Sequence, residues 1–418
     1  MIDDSRRHRA ALPFIFVTVL IDMLAFGVII PVLPLLVENF AGGVARGAAI
    51  YGVFGTAWAL MQIIFSPLQG SLSDHYGRRP VILISCAGLG LDFILMALAP
   101  NLGWLFVGRV ISGITAASFS TAGAYISDIT SAEKRAASFG IIGAAFGVGF
   151  VLGPALGGFL GEISPRLPFW ASAVMALANV CWGLFVLPES LPKERRVPFS
   201  WRSANPVGAL KLLRSHPLLA TLASGFFLMQ LAHVVLPSTA VLYMRYRYAW
   251  DTRQVGWLLA GVGICSLIVQ GGVVKPAVKL LKERGALLTG LAFGAAGFIV
   301  YGAASTGVFF WVGVPVMALW SIATPSLQTI MTQSVAPTEQ GRLQGALASL
   351  TGLASLIGPT IFTQTFAASV GDKSTWRVPG APFFLSGALL IAAMWLVRNA
   401  QSAPKVAGAD LRAPASPE

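Results

Sequence analysis

Residues 70–80 read GSLSDHYGRRP. Asp74, His75, Arg78 and Arg79 are gathered with two glycines between two long apolar stretches, 48–70 and 79–99. A charged turn this short, set between segments this hydrophobic, is what a chain needs when it leaves a bilayer and re-enters it at once. The composition agrees. Of 418 residues 56% are hydrophobic and 11% charged, with a mean hydropathy of +0.74, whereas a soluble domain carries about 25% charged residues.

A transmembrane helix needs about 20 predominantly apolar residues. Twelve such spans are predicted, at 11–37, 48–70, 79–99, 103–127, 136–160, 167–187, 217–243, 254–276, 285–305, 308–334, 341–369 and 380–397. The runs are too long for barrel strands and lack strict alternation. The first run is read as a retained span and not a signal peptide: it is long, holds Asp22 in its middle and shows no small-residue cleavage site.

With twelve spans and the N-terminus inside, the cytoplasmic segments hold 21 of the 29 Lys and Arg residues and the outer segments 7, leaving Arg109 within the membrane. Basic residues favour the cytoplasmic side, so this asymmetry supports a multi-pass membrane protein with both termini cytoplasmic. It also accounts for the net charge of +12 without nucleic acid. Cys86, Cys181 and Cys265 all lie in apolar stretches and offer neither a disulfide framework nor metal spacing. No nucleophile–base constellation, phosphate loop or ATP motif is present, so no enzyme activity, metal or cofactor is expected. The expected partner at this point is lipid, and the chain is expected to act as a monomer.

The chain is read as an N-terminal six-helix half (1–187), a cytoplasmic linker (188–215), a C-terminal six-helix half (216–398) and a disordered cytoplasmic tail (399–418). The end of the linker, PVGALKLLRS (206–215), suits a short interfacial helix. The halves echo one another. SAEKRAASFGIIGAAFGVGFVLGP (131–154) and PTEQGRLQGALASLTGLASLIGP (337–359) each run from Glu through Arg and a small-residue helix to Gly-Pro, at the starts of spans 5 and 11. Parallel repeats of this kind place a substrate near the midplane between the halves.

Three motifs carry a more specific signal. The loop 70–80 matches G-x-L-x-D-x-x-G-R-R at Gly70, Leu72, Asp74, Gly77, Arg78 and Arg79, the signature that it shares with the major facilitator superfamily, which it therefore resembles. In span 5, Gly149, Gly153, Gly157 and Gly161 recur every four residues, with Pro154 and Gly158 beside them. That spacing makes a groove for close backbone approach, and it is similar to the glycine motif of antiporters in that superfamily. In span 4, Leu105, Arg109 and Gly113 match L-x-x-x-R-x-x-x-G. An Arg within a span costs about 2.5–3.5 kcal/mol on insertion scales, so it needs an acidic partner. Asp22 in span 1 and Asp92 in span 3 are the carboxylates well inside spans. Burial favours the neutral acid and a nearby Arg the ionised one, a balance that suits reversible proton binding.

The segments IDMLAFGVIIPVLPLL, ALMQ, AGAYISDIT, LPES, FFLMQL and LQGALASLTGLASLIGP resemble bacterial tetracycline efflux proteins, and the likeness covers nearly the whole chain. The resemblance implies an all-helical major facilitator fold and a proton-coupled antiporter exporting a small amphipathic compound. It implies proton coupling by Asp22, Asp92 and Arg109, and a cytoplasmic gate of Gly70, Asp74, Gly77, Arg78, Arg79 and Asp128, with Asp74 facing span 11 when that gate is closed. Polar cavity positions would be Gln62 and Gln230, joined by Phe26, Trp58, Phe226, Phe227, His233 and Trp320. The chain departs from the pattern where spans 8 and 9 of tetracycline exporters carry a His and an Asp. Cys265 and Gly294 stand there, and no acidic residue lies in spans 7–12. Two other readings stay open at this point: an uptake or facilitative carrier for a metabolite or siderophore, and a non-transporting receptor. The plainer reading of each motif is a solvated positive loop, helix packing, or a static ion pair.

Overall fold

The computed structural model describes residues 2–116, 118–130, 135–198, 217–336, 339–371 and 377–399. Among them every regular element is helical. All twelve predicted spans coincide with helix, but ten separate stretches are long and apolar enough to cross a membrane. Two local departures explain the difference. Span 4 is divided into Leu102–Thr115 and Ser118–Ile129. At the break the Thr115 hydroxyl donates to the carbonyls of Ile111 and Ser112 and the Gln69 amide takes the Ile114 carbonyl, local competition of the kind that bends helices. Spans 8 and 9 form one helical run, Thr252–Ala303, whose π-helical turn at Val269–Val273 precedes a non-helical residue, Lys282.

Helix starts follow capping chemistry. Asn101 accepts from the Trp104 N–H at 3.2 Å to open span 4. Asp251 and Gln254 form a reciprocal capping box that opens span 8, satisfying backbone donors that have no partner inside the helix.

Span 1 (Ile2–Ile29 with Leu33–Ala41) packs on spans 5 (Arg135–Ile163) and 6 (Leu167–Val186), and span 3 (Arg78–Leu98) on spans 4 and 6. Span 9 packs on spans 10 (Gly307–Gln333) and 12 (Ala381–Asn399), and span 7 (Pro217–Tyr248) on spans 11 (Gln340–Val370) and 12. The two largest interfaces between spans 1–6 and spans 7–12 are span 2 (Val44–Tyr76) on span 11, and span 5 on span 8. The first holds Thr56 Oγ1 against the Leu356 carbonyl at 2.9 Å and Thr360 Oγ1 at 2.8 Å. In the second, a methyl group on Gly158 would meet the Gly256 Cα at 3.0 Å, so the two backbones touch.

These contacts lie toward one end of the molecule. Two ion pairs seal that end across the halves, Arg245–Glu38 at 3.7 Å and Arg253–Glu162 at 3.5 Å. At the opposite, basic end, Gly70, Gly143, Gly271, Gly272 and Gly341 have no neighbouring atom within 4 Å of a would-be Cβ among the described residues. The halves are therefore joined at the Glu38 end by two cross-half ion pairs. The interfacial helix read at 206–215, the tail after Asn399 and the Glu133–Lys134 part of the repeat lie outside the described residues.

Candidate functional site

Arg109 and Asp92 come together between spans 3 and 4, with Arg109 Nη2 4.0 Å from Asp92 Oδ2. Both side chains are buried, Asp92 fully. Arg109 Nη2 also reaches Ser112 Oγ at 3.4 Å and Met96 Sδ at 3.8 Å. Gly108 makes the approach possible: a methyl group there would stand 2.7 Å from Asp92 Oδ1 and from Met96 Cγ. A loosely held ion pair in a dry setting is sensitive to small helix shifts, because its attraction is poorly screened.

Asp22 occupies a separate place, between spans 1, 3 and 6. Asn179 Nδ2 donates to Asp22 Oδ1 at 3.0 Å and to the Thr18 carbonyl at 2.9 Å, and the Cys86 thiol lies 3.6 Å from each carboxylate oxygen. The acid is 5% exposed. It sits within the N-terminal half's own packing and not on an open cavity wall.

Span 5 explains why span 1 is held so closely. Gly149, Gly153 and Gly157 lie against Met23, Gly27 and Val28, while Gly158 and Gly161 turn toward Thr252 and its neighbours in span 8. A methyl group on Gly27 would stand 2.9 Å from the Gly153 Cα. The Pro154 carbonyl faces Gly256. One helix thus presents one small-residue face to its own half and another to the opposite half.

The signature loop is a charge cluster. Arg78 Nη1 contacts Asp74 Oδ1 at 2.5 Å, and Arg78 Nε contacts Asp128 Oδ2 at 3.0 Å. Arg79 Nη2 donates to the Leu184 carbonyl at 2.5 Å. The segment after span 6 then straps the loop. The Arg78 N–H donates to Glu189 Oε1 at 2.9 Å, the Val197 N–H to the Asp74 carbonyl at 3.1 Å, and Ser190 Oγ to Asp128 Oδ2 at 3.2 Å. Gly77, at φ 108°, lies beneath Glu189 and Arg196. Asp74 is thus engaged by Arg78 and Val197 of its own half. Gly70 stands in open space.

The residues read as cavity positions divide. Phe26 and Trp58 stack at 6.2 Å between ring centres, and Gln62 lies one turn further along span 2 from Trp58. Gln230 Nε2 reaches Thr351 Oγ1 at 3.3 Å, linking spans 7 and 11. His233 is solvent-accessible at mid-span, beside Trp320 at 5.6 Å. Phe227 is half-buried at the edge of the C-terminal core, whereas Phe226 is 3% exposed inside it and presents little to a ligand: its helix turns it inward, away from the other half. Gly294 leaves no room for an acid. A methyl group there would stand 2.7 Å from Trp320 Cγ and Leu390 Cδ1, so the Trp320 indole fills the space.

Asn179, Glu189 and the two sealing ion pairs were not singled out from the sequence, and Cys86 was read there only as a cysteine without disulfide or metal spacing. Asn179 left a trace, a lone amide in an apolar span, and Glu189 stood inside LPES. The ion pairs join residues far apart in the chain and left none.

A family model for the Major Facilitator Superfamily matches residues 15–359. The chain belongs to this superfamily. It is a multi-pass membrane protein whose curated relatives include the tetracycline resistance protein, class C, of Escherichia coli, 39% identical over 392 residues, 93% of this chain and 96% of that one. The class D protein of Salmonella ordonez is 35% identical over 388 residues, covering 92% and 96%. Among solved structures, the human organic anion transporter MFSD10 (TETRAN) superposes with a TM-score of 0.69 at 24% identity, over 93% of this chain and 99% of that one. The nucleoside transporter NupG gives 0.77 at 11% identity, over 93% and 98%. These two likenesses establish the facilitator fold.

Proposed function

We propose that this facilitator is a proton-coupled antiporter of the bacterial inner membrane that exports a small amphipathic compound of the tetracycline kind. The observation that carries the reading is the near-full-length likeness to the tetracycline resistance proteins, joined to a buried Asp–Arg pair in the N-terminal half. The basic end faces the cytoplasm. Substrate enters between the halves past Trp58, Gln62, Gln230 and His233. Rocking of the halves then breaks Glu38–Arg245 and Glu162–Arg253 and closes the basic end, freeing Asp74 to meet span 11. Protons are taken at Asp92 and Asp22 from the outer side and released inward, with Arg109 alternating between salt bridge and hydrogen-bond partners. Because no acidic residue lies in spans 7–12, coupling rests on spans 1–6.

The test is transport in proteoliposomes under an imposed pH gradient, with tetracycline as the first compound and a pH-sensitive dye inside. Wild type should show compound-dependent proton movement. Asp92→Asn and Asp22→Asn should lose it while still binding compound. Compound movement with no proton movement in the wild type would turn the reading to a facilitative carrier.

A further inference from the structure

The turn joining spans 8 and 9, QGGVVKPAVKLLKERG (270–285), has no role in the reading above. Counted from Thr252 to the break at Lys282, span 8 is about 30 residues, roughly 45 Å of helix, against a hydrocarbon core of about 30 Å. Its last turns therefore stand at headgroup depth. One face of this extension packs inward, where Val273, Val274, Ala277 and Val278 meet a cluster of Val269, Ala286, Ala318 and Ile322. The other face stays open. Ile264 and Ile268 are 51% and 62% exposed and Leu280 is 82% exposed, and Lys275, Lys279 and Lys282 are exposed between and beyond them.

Lys275 and Lys279 stand one turn apart and so share a helix face, and Lys282 follows at the residue where the helix breaks. None has an ion-pair partner among the described residues. Arg284 donates to the carbonyls of Val397 and Arg398 at 3.3 and 2.8 Å, which draws the end of span 12, with the Arg398 cation, alongside. The acid within this run is Glu283. Lys282 itself is held at φ 59°, a conformation that side-chain-bearing residues rarely adopt. The surface facing the opposite half is a different one, running through Gly256 and Gly263 onto Pro154 and Val151. The lysines follow the exposed Ile264 and Ile268 toward the end of the helix.

We infer that the basic extension of span 8 is a binding site for the headgroup of an anionic phospholipid, with Lys275, Lys279 and Lys282 holding its phosphate and Ile268 and Leu280 lying against its acyl chains. A neutral or zwitterionic lipid does not satisfy this cluster, because three unpaired cations within eight residues call for net negative charge. The site is independent of what the protein transports.

The full chain, purified and delipidated, is titrated with phosphatidylglycerol and with phosphatidylethanolamine, and bound lipid is counted by native mass spectrometry. The wild type should prefer phosphatidylglycerol. A lysine at an anionic membrane surface is worth about a factor of five in binding, so the triple variant Lys275→Gln, Lys279→Gln, Lys282→Gln should bind it about a hundredfold more weakly and lose the preference. The exposed linker pair Lys193→Gln, Arg195→Gln should leave it unchanged. A preference that survives the triple variant overturns the proposal, as does equal binding of both lipids by the wild type. Chemical cross-linking of Lys279 to spans 1–6 in the absence of lipid would reassign the cluster to contact between the halves.

Discussion

The turn between spans 2 and 3 and the turn between spans 8 and 9 are the same joint built twice, with opposite outcomes. In the first, Gly77 takes the positive-φ position at φ 108°, ψ 160°; in the second, Lys282 takes it at φ 59°, ψ 169°. Three residues before the joint stands Asp74 in one half and Lys279 in the other. The first turn is strapped by Glu189 and Val197, and its arginines are engaged by Asp74, Asp128 and the Leu184 carbonyl. The second is covered by no such strap among the described residues, and its lysines are unpaired. An ordered polar network makes one turn a precise mechanical part. The absence of one leaves the other to its solvent, here the lipid surface.

Gly77 is where the comparison is broken most severely. Gly77→Lys would give the first joint the second's residue. It needs a side chain where Glu189 and Arg196 already lie, and it adds the strain of a positive φ, so a loss of about 2–4 kcal/mol is expected, seen as lost expression or a fall in Tm of purified protein. Next is the network. Asp128→Asn leaves the Arg78 guanidinium without one of its two carboxylates and should lower transport in proteoliposomes by about tenfold, in keeping with about 1.5–3 kcal/mol for a charged hydrogen bond, whereas Glu283→Gln in the second turn should change it less than about twofold. Lys282→Gly sharpens the contrast in the other direction. Relief of the strained backbone should raise stability by about 1 kcal/mol, read as an upward shift of Tm in zwitterionic lipid, where loss of the cation has no lipid consequence. Smallest is Lys279→Ala. Its exposed, unpaired side chain should leave Tm within about 0.5 kcal/mol of wild type, and a larger drop would mean that the second turn has a protein partner after all.

The seal at the Glu38 end offers a further test. Arg245→Glu should favour opening there, and Glu38→Arg combined with it should restore the closed form. Accessibility of a cysteine placed at Ala48, which is fully buried, reports the change. Restoration by the double reversal separates a cross-half ion pair from general loss of packing.

Much of this was legible in the chain. Twenty-residue apolar runs, capping residues, the G-x-L-x-D-x-x-G-R-R spacing and the glycine row are local patterns, and each arises from chemistry acting over a few residues. They fixed the twelve spans, the superfamily and the face of span 5 that packs. The Arg109–Asp92 pairing was within reach because a lone buried Arg demands an acid and both residues lie at similar depth. Which face of each helix meets which neighbour was not legible. The choice of Asn179 for Asp22, the strap of Glu189 over Arg78, Trp320 in the space at Gly294, the inward turn of Phe226 and the closure of the Glu38 end were all decided in the tertiary structure. Hydropathy is summed along the chain and says when a segment leaves water, whereas Thr56 and Thr360 are three hundred residues apart, and contacts at that separation depend on helix rotation and tilt, which packing alone sets.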